Sequence, residues 1–423
     1  MRRFIKVATL ATGAALVVGS MAGCGRPDTS GAPAASASAV ATDKVTGNLT
    51  VWAMGTEGEK LPDLIKKFES ENPGVSVKVT AVPWDSAHDK FTSSIAAGTT
   101  PDVAMVGTTW MGEFVGLGAL DPTPPDLIDK ESFFSGAQAT TEVGGTSYAV
   151  PWYVETRVVY YRTDIAKKAG ITAVPTDWDG LKAMAKAMKD KGGAKYGINL
   201  QPGGTGSWQT VLPFAWSAGA KIMADDKTFA FDSPEMVEGV KYYQSFFTEG
   251  LANKSSTGSP TEVAFTKGET PMFISGPWMR GVVESAGTKP GSYGVFVMPK
   301  NKESSSFIGG ANLAVFKSTK NRNAAWKLVQ FLSKPETQLE WYKMSTDLPS
   351  VQAAWSDSSL SGDEMLKVFG EQLKTAQAPP PITTWEQIAG KFDAQIEKVT
   401  KTGLDPAQAM KTVQSEAMSI GVV

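Results

Sequence analysis

The sequence predicts an α/β protein with two domains, and two observations support this prediction. Short apolar segments with strand character alternate with longer segments whose apolar residues recur at helical spacing. Roughly 375 residues follow position 46, and this is more than one hydrophobic core usually serves. The 423-residue chain shows no internal repeat and no heptad pattern, so neither a solenoid nor a coiled coil is expected.

The first strands and helices follow from the spacing of apolar residues. Residues 49–54 form the first predicted strand, and residues 55–60 are expected to be a loop. A helix then begins at Leu61, because Leu61, Leu64 and Phe68 recur on one helical face, and the turn residues 72–74 end it. The alternation continues with a strand over residues 75–82, a helix over 86–97 and a strand over 102–106.

Two later helices carry recognisable start signals. Ser233 followed by Pro234 predicts a helix that reaches Gly250, since Pro is favoured in a first helical turn and Gly just beyond a last one. Ser333 and Glu336 match the Ser-x-x-Glu capping box, which predicts that another helix starts at Ser333.

The first 23 residues have the composition of a bacterial secretion signal. Arg2, Arg3 and Lys6 make a basic start, and the uncharged segment 7–20 that follows is shorter than the ~20 apolar residues of a membrane span. Ala22-Gly23-Cys24 resembles a lipobox, in which the cysteine is lipidated and becomes the first residue of the mature protein. Because Cys24 is the only cysteine of an exported chain, we expect residues 1–23 to be removed and Cys24 to carry lipid.

Residues 24–46 are expected to form a flexible tether. They consist almost entirely of Gly, Ala, Ser, Thr, Pro and Val, a composition that cannot bury a core. The folded domains are therefore expected on the extracellular face of the cell membrane, attached to the membrane through the lipid.

Charge and residue usage exclude several classes of function. The net charge of −2 at pH 7 offers no basic surface for nucleic acid. One histidine, His88, and one cysteine leave no zinc-site pattern and no disulfide, so no metal is expected. The sequence lacks the Gly-x-Ser-x-Gly, phosphate-loop and Gly-x-Gly-x-x-Gly motifs. No cofactor is expected at the outer face of a membrane.

The chain contains 12 tryptophans, which suggests aromatic binding surfaces. A pyranose ring presents apolar C–H faces and a rim of hydroxyls, so a sugar site needs flat aromatic rings together with carboxylates, amides or arginines. Trp326 lies among apolar residues at helical spacing and is expected in the core. Six tryptophans beside glycine, proline or polar residues are expected in loops: Trp84, Trp110, Trp152, Trp208, Trp278 and Trp385.

Four stretches, in the same order, resemble the carbohydrate-binding lipoproteins of ABC importers, the family that includes maltose-binding protein. They are Thr100–Val106 with Leu117–Leu120, Tyr148–Arg162, Met272–Trp278 and Asn321–Glu336. The resemblance implies a two-lobed, periplasmic-binding-protein-like fold with a hinge and an interlobe cleft. It also implies a monomeric binding protein, not an enzyme, that delivers a mono- or oligosaccharide to the transmembrane permease subunits of an ABC importer.

The resemblance further implies where the lobes begin and end. Lobe 1 is expected to comprise residues 47–152 and 307–350, and lobe 2 residues 158–300 and 351–423. The chain would then cross between lobes near residues 153–157, 301–306 and 350, which is an arrangement suited to hinge closure.

Position in the family pattern selects the site residues. Trp208, Trp278 and Trp385 resemble stacking aromatics, and Glu155 resembles a sugar-binding carboxylate on a segment that crosses between the lobes. The remaining candidates are aromatic or polar residues near these positions or in the first lobe: Thr56, Glu57, Trp84, Asp85, Trp110, Arg280 and Asn312.

Two other functions remain open at the level of sequence. An extracellular glycoside hydrolase would also line a cleft with tryptophan, and it would need two carboxylates on either side of one glycosidic bond. An importer protein for a non-sugar solute, such as a polyamine or an anion, is the other alternative, although an anion site would favour helix N-termini and arginines over tryptophans.

Overall fold

The computed structural model describes residues 38–40, 44–224, 228–255 and 260–422. The predicted signal segment and Cys24 lie outside these residues. The strands are β1 (Gly47–Met54), β2 (Val75–Val82), β3 (Val103–Gly107), β4 (Glu142–Val143), β5 (Thr146–Ser147), β6 (Val150–Thr156), β7 (Val158–Arg162), β8 (Met272–Ser275), β9 (Tyr293–Phe296), β10 (Ser306–Val315), β11 (Leu348–Pro349) and β12 (Ala376–Gln377).

The α-helices are α1 (Gly55–Glu71), α2 (Trp84–Ala97), α3 (Met111–Gly116), α4 (Ser135–Ala139), α5 (Thr163–Lys168), α6 (Trp178–Asp190), α7 (Trp208–Ser217), α8 (Pro234–Thr248), α9 (Thr261–Thr266), α10 (Met279–Ser285), α11 (Arg322–Leu332), α12 (Pro335–Ser345), α13 (Ser358–Ser361), α14 (Glu364–Leu373), α15 (Trp385–Glu397) and α16 (Pro406–Ile420). Short 310 helices cover Thr108–Trp110, Lys130–Ser132 and Gln352–Ser356, and a π-helical turn covers Lys398–Thr402. Within the described ranges, no helix has both the length and the apolarity needed to cross a bilayer.

The larger sheet is mixed and has the order β11-β6-β10-β3-β1-β2. β1 pairs in parallel with β2 and β3, whereas β10 runs antiparallel to β3 and β6. β12 joins the start of β10 in parallel. The smaller sheet has the order β8-β7-β9 with antiparallel pairs, and β4 and β5 form a separate hairpin. The protein therefore has the two-lobed α/β architecture that the sequence predicts.

Each sheet belongs to its own hydrophobic core. The first core packs α1, α3 and α11 against the larger sheet and buries Phe68, Phe114 and Trp326. The second core packs α6, α7, α8, α15 and α16 together and includes Phe214 and Phe392. A third, smaller cluster lies where β6 continues into β7, and it joins residues of both sheets, among them Val154, Val158, Tyr160, Ile308 and Phe369.

The chain passes between the sheets through closely spaced segments. β6 ends at Thr156 in the larger sheet, and β7 begins at Val158 in the smaller one. The start of β10 lies beside this passage, because the Thr156 hydroxyl donates to the Phe307 carbonyl over 2.9 Å and the Ser306 hydroxyl donates to the Arg157 carbonyl over 2.7 Å. Side-chain hydrogen bonds thus hold two crossing segments together.

The early strands and the helix after Ser233 agree with the sequence, and two predicted helix starts are wrong. Residues 55–60 are the first turns of α1 and not a loop, because Gly55 adopts a φ of +52° that turns β1 directly into the helix. Ser333 does not cap a helix: α12 begins at Pro335, Lys334 is its N-cap, and the Ser333 hydroxyl donates to the Gln330 carbonyl of α11 instead. Proline at the first helical position supplies the start signal there.

Candidate functional site

A cleft of about 1060 Å³ lies between the two cores. One wall comes from segments of the first core: residues 55–57, Trp84 and residues 107–110. The facing wall comes from residues 204–209 and from α15, which pack in the second core. Residues 153–155, 277–278, 307–310 and 345–348 complete the lining. Concave sites between domains are the usual location of small-molecule sites.

Trp84 and Trp278 present their rings to the cleft. They are 41% and 40% exposed, and they are the only two exposed tryptophans of the part of the chain that the structure describes. Trp110 lies edge-on to Trp84 with 5.9 Å between ring centroids and lines the same wall. Trp208 also lines the cleft but is only 3% exposed, so almost all of its ring is covered by the protein.

Glycines make room for three of these rings. A methyl group at Gly55 would lie 2.8 Å from the Trp84 ring, and one at Gly107 would lie 3.2 Å from the Trp110 ring. A methyl group at Gly276 would overlap the Trp278 ring outright. At Gly55 and Gly276 a side chain would collide with the ring, whereas at Gly107 the Trp110 ring would have to shift by a few tenths of an ångström.

The cleft tryptophans lie at helix starts and not within loops as predicted. Trp84 and Trp208 are the first residues of α2 and α7, Trp278 is the N-cap of α10, and Trp110 directly precedes α3. Turn-forming or polar residues precede each of these tryptophans in the sequence, and for this reason loops were predicted there.

Glu57 occupies the first turn of α1 and is buried at the floor of the cleft. Its carboxylate accepts from the Tyr153 hydroxyl over 3.0 Å and from the Thr56 hydroxyl over 3.2 Å. Asp347 lies nearby and accepts from the Trp341 indole N–H over 3.0 Å. Burial, with the charge of Glu57 adding to it, raises the pKa of Asp347 to about 7.

Glu155 lies on β6, next to the passage into β7, and faces the cleft. Burial raises its pKa, the neighbouring Arg157 opposes this shift, and Glu57 reinforces it. The guanidinium of Arg157 instead hydrogen-bonds Gln209 and, over 3.4 Å, Thr210 on α7. Arg157 therefore connects the crossing segment to the helix that begins with Trp208.

Asp393 on α15 fixes the segment that leads into α7. Its carboxylate accepts from the Gly206 N–H over 2.7 Å, the Ser207 hydroxyl over 2.7 Å and the Trp208 N–H over 2.8 Å. Burial raises the pKa of Asp393, and these three donors lower it. The position of Trp208 thus depends on a carboxylate more than 180 residues further along the chain.

The two walls contact each other beside the cleft. Glu386 on α15 and Thr109 from the opposite wall both line the cleft, and burial raises the pKa of Glu386. A methyl group at Gly112 on α3 would meet the backbone of Pro381 and Ile382. Only the absence of a side chain at Gly112 permits this approach of α3 to the chain before α15.

Seven of the eleven predicted site residues line the cleft, and three lie elsewhere. Arg280 forms ion pairs with Asp363 and Glu284 on the outside of α10. Asn312 is 1% exposed inside the larger sheet, where its amide donates to the Thr140 hydroxyl over 3.0 Å. Trp385 is 1% exposed and packs edge-on against Trp208 with 5.1 Å between centroids. The residues that do line it are Thr56, Glu57, Trp84, Trp110, Glu155, Trp208 and Trp278. The side chain of Asp85 lies outside the described part of the structure.

The three corrections share a physical cause. Sequence places a residue near a motif, but strand alternation and helix phase decide whether its side chain faces the cleft, the core (Asn312 and Trp385) or the outer surface (Arg280). Other polar residues that line the cleft were not predicted, namely Tyr153, Asp347, Glu386, Asp393 and Glu397. Of these, only Tyr153 carried a usable signal, because it lies two residues before Glu155 on the same strand and so on the same face.

Comparison with known proteins agrees with this architecture. The family model described as bacterial extracellular solute-binding protein matches residues 53–339. A putative binding protein of Brucella abortus is 28% identical over 86% of this chain and 90% of its own length. The galactooligosaccharide-binding protein of Bacillus subtilis is 25% identical over 92% of this chain and 91% of its own length.

A solved structure supports the same assignment. The sugar-binding protein MalE from Xanthomonas citri superposes with a TM-score of 0.83 and 29% identity, over 88% of this chain and 97% of that one. The family match covers well over half of the chain, and the structural match extends over both lobes and the cleft between them. This chain is a member of the bacterial extracellular solute-binding protein family.

Proposed function

We propose that this protein binds a mono- or oligosaccharide in its interlobe cleft and delivers it to the permease subunits of an ABC importer. The observation that carries the proposal is the pair of exposed rings, Trp84 and Trp278, in a cleft that also contains Glu57 and Glu155. Indole faces suit the C–H faces of a pyranose, and carboxylates accept hydrogen bonds from its hydroxyls. The names of the Bacillus and Xanthomonas relatives point to the same ligand class.

In this proposal the site binds a saccharide and does not catalyse a reaction. Glu57 and Asp347 are hydrogen-bonded to Tyr153 and Trp341, and Asp393 is bonded to the start of α7, which suits fixed acceptors better than acid and base groups that exchange protons with a substrate. Incubation with oligosaccharides should leave their length unchanged in chromatography, and the appearance of shorter products would favour a hydrolase instead.

Ligand binding is proposed to close two lobes, comprising residues 47–152 with 307–350 and residues 158–300 with 351–423. The two separate cores and the short passage between β6 and β7 support this division. A saccharide that contacts both walls binds the closed form more tightly than the open one, and this difference in affinity drives closure. The closed monomer would then present one surface to the importer.

Attachment to the membrane is proposed through a lipid on Cys24, after removal of residues 1–23. The lipobox-like sequence and the family's extracellular description support this placement. In a Cys24→Ser variant the protein should appear in the medium with unchanged sugar affinity, because residue 24 precedes the folded core. Fractionation followed by immunoblotting tests this, and a variant that stays in the membrane fraction would contradict the lipid anchor.

The ligand class is tested by thermal shift with panels of neutral sugars, amino sugars, polyamines and anions. A saccharide at about 100 times its dissociation constant should stabilise the protein by ~2.7 kcal/mol and raise its melting temperature. Tryptophan fluorescence should change in the same titration because Trp84 and Trp278 line the cleft. Stabilisation by polyamines or anions, with no response to any saccharide, would overturn the proposal.

A further inference from the structure

The charged residues that line the cleft are all acidic. Among the described residues, six carboxylates and no lysine or arginine line it, and the six are Glu57, Glu155, Asp347, Glu386, Asp393 and Glu397. They come from both walls and from the passage between the lobes. A ligand enclosed by these walls therefore meets carboxyl groups from several directions and no basic side chain of the described residues.

The nearby cations neutralise this charge only in part. Lys401 forms an ion pair with Glu397 over 2.6 Å. Arg157 bonds Gln209 and Thr210, and Lys60 donates to the Met344 carbonyl over 2.8 Å. Within the described part of the chain, the carboxylates at the floor of the cleft therefore have no ion-pair partner. These carboxylates are Glu57, Glu155 and Asp347.

Hydrogen bonds to these three carboxylates are also unequal. Glu57 accepts from Tyr153 and Thr56, and Asp347 accepts from Trp341. The Glu155 carboxylate receives no hydrogen bond from any described residue. Burial, with the charge of Glu57 adding to it, raises the pKa of both Glu155 and Asp347, although Arg157 opposes the shift at Glu155 and Lys60 opposes it at Asp347; neither cation forms an ion pair with these acids.

We propose that the cleft prefers a saccharide with a protonated amino group over the neutral sugar of the same shape, and excludes saccharides with a carboxylate, phosphate or sulfate. The inference rests on the proposed saccharide function and specifies its ligand. An ammonium beside Glu155 supplies the donor and the positive charge that this carboxylate lacks. The exposed faces of Trp84 and Trp278 attract a cation as well as a C–H face. An anionic group would add to the existing repulsion.

Isothermal titration with matched sugars tests the preference. Three gluco-configured monosaccharides (glucose, glucosamine and glucuronate), the corresponding galacto set, and the disaccharides cellobiose, chitobiose and N,N′-diacetylchitobiose form the panel. At about pH 6.5, below the pKa of an ordinary α-amino group, the amine should bind at least ~10-fold more tightly than its neutral counterpart. The uronates should not bind, and added salt should weaken the amine more than the neutral sugar.

Two variants test whether the preference for the amine arises in the cleft. Glu155→Gln keeps the shape and removes the charge, so the amine's advantage should fall below about 3-fold while the neutral sugar loses less. Glu59→Gln makes the same change on the exposed side of α1, outside the cleft, and should keep the full advantage.

The outcomes separate this inference from the function on which it rests. A neutral sugar that binds as tightly as its amine, or a uronate that binds equally well, overturns the charge preference and leaves saccharide binding intact. An amine preference that survives Glu155→Gln overturns the role of Glu155. Binding of spermidine by a protein that binds no saccharide overturns the saccharide function itself.

Discussion

Trp278 and Trp326 show how the same residue type serves different purposes in this chain. The Trp278 ring stands in the cleft over Gly276, whereas Trp326 is fully buried against the larger sheet and donates its indole N–H to Asp121 over 2.7 Å. A buried ring contributes to folding, and a ring held in an open cleft contributes to binding. Substitution separates the two contributions.

Trp278→Ala should weaken saccharide binding by ~2 kcal/mol or more, since it removes an aromatic face that contacts the ligand near the middle of the site. Its free energy of unfolding should change by less than 1 kcal/mol, as for other partly exposed positions. Trp326→Ala should show the reverse pattern, with a loss of ~3–5 kcal/mol of stability and normal affinity in the folded fraction. Titration calorimetry measures the affinity, and urea unfolding measures the free energy of unfolding. Normal binding by Trp278→Ala with early melting would place this ring in the core.

Asp347 makes stability depend on pH in a direction opposite to that of an ordinary salt-bridged aspartate. Its pKa rises from 3.8 in the unfolded chain to about 7 in the folded protein, so between these values the native state holds a proton that the unfolded state has released. The free energy of unfolding should therefore fall as pH rises from about 4 to about 7, because the unfolded state binds fewer protons there.

Asp347→Asn should remove this dependence, since the amide resembles the protonated acid at every pH. The variant should be more stable than the parent at about pH 8 by roughly 1–2 kcal/mol. This is less than the free energy that the full pKa shift corresponds to, because the side chain is only half-buried and water screens its charge. Urea unfolding at about pH 5 and pH 8 measures the difference, with the exposed Glu59→Gln as a control. Equal stability of parent and variant across this range would mean that Asp347 is ionised in the folded protein.

At the scale of elements, helix starts build the cleft. α1, α2, α7, α10 and α15 each begin at or just beside it, and the residues they carry there include Glu57, Trp84, Trp208 and Trp278. The start of α7 has no side-chain cap of its own, and Asp393 of α15 bonds its backbone instead. The geometry of one helix start is therefore set by another helix.

Asp393→Asn should test this connection. The asparagine amide has one acceptor oxygen, and its NH2 group is itself a donor. At least one of the three donors that now bond Asp393 therefore loses its partner, at a cost of about 1–3 kcal/mol in the free energy of unfolding. Affinity should fall as well, because Trp208 moves with the start of α7. The matched control is Asp405→Asn at the N-cap of α16, where Asn and Asp are nearly equivalent. Urea unfolding and titration calorimetry report both effects, and equal stability of the two variants would contradict the role given to Asp393.

At the scale of the whole molecule, the lobes meet in a contact that depends on one glycine. The backbone of Pro381 and Ile382 lies against Gly112, and Thr109 and Glu386 line the cleft from opposite walls. This contact does not belong to the passage between β6 and β7. A side chain at residue 112 on α3 would obstruct this contact between the two walls, and we expect it to limit the proposed closure of the cleft.

Gly112→Ala should hold the lobes apart while leaving each core intact. Alanine favours the helix over glycine by ~0.5–1 kcal/mol, so α3 itself should not suffer. Saccharide affinity should fall by about 10-fold, which is ~1.4 kcal/mol, and the ligand should no longer reduce the radius of gyration in solution scattering. Gly281→Ala is the matched control, because a methyl group on that helical glycine meets only open space. Normal compaction of Gly112→Ala with ligand would show that the contact does not limit closure.

The sequence by itself determined the α/β class, the first strands, the helix after Ser233 and seven of the residues that line the cleft. Apolar periodicity and terminal residues act locally, so they predict the class, the strands and the helix without knowledge of the partner segments. The cleft residues, Trp278 among them, were instead selected by their positions in the pattern of the family that the sequence resembles.

Only the tertiary structure decided which way the side chains face and which distant residues meet. Trp385 and Asn312 have neighbours typical of a site, but helix phase and strand alternation turn both into the core. Asp393 and Gly112 carry no local signal, because their partners lie far along the chain: residues 206–208 for Asp393 and residues 381–382 for Gly112. The all-acidic lining likewise exists only after folding: the chain as a whole is nearly neutral, and the arrangement of the two lobes gathers carboxylates from several segments around one cleft.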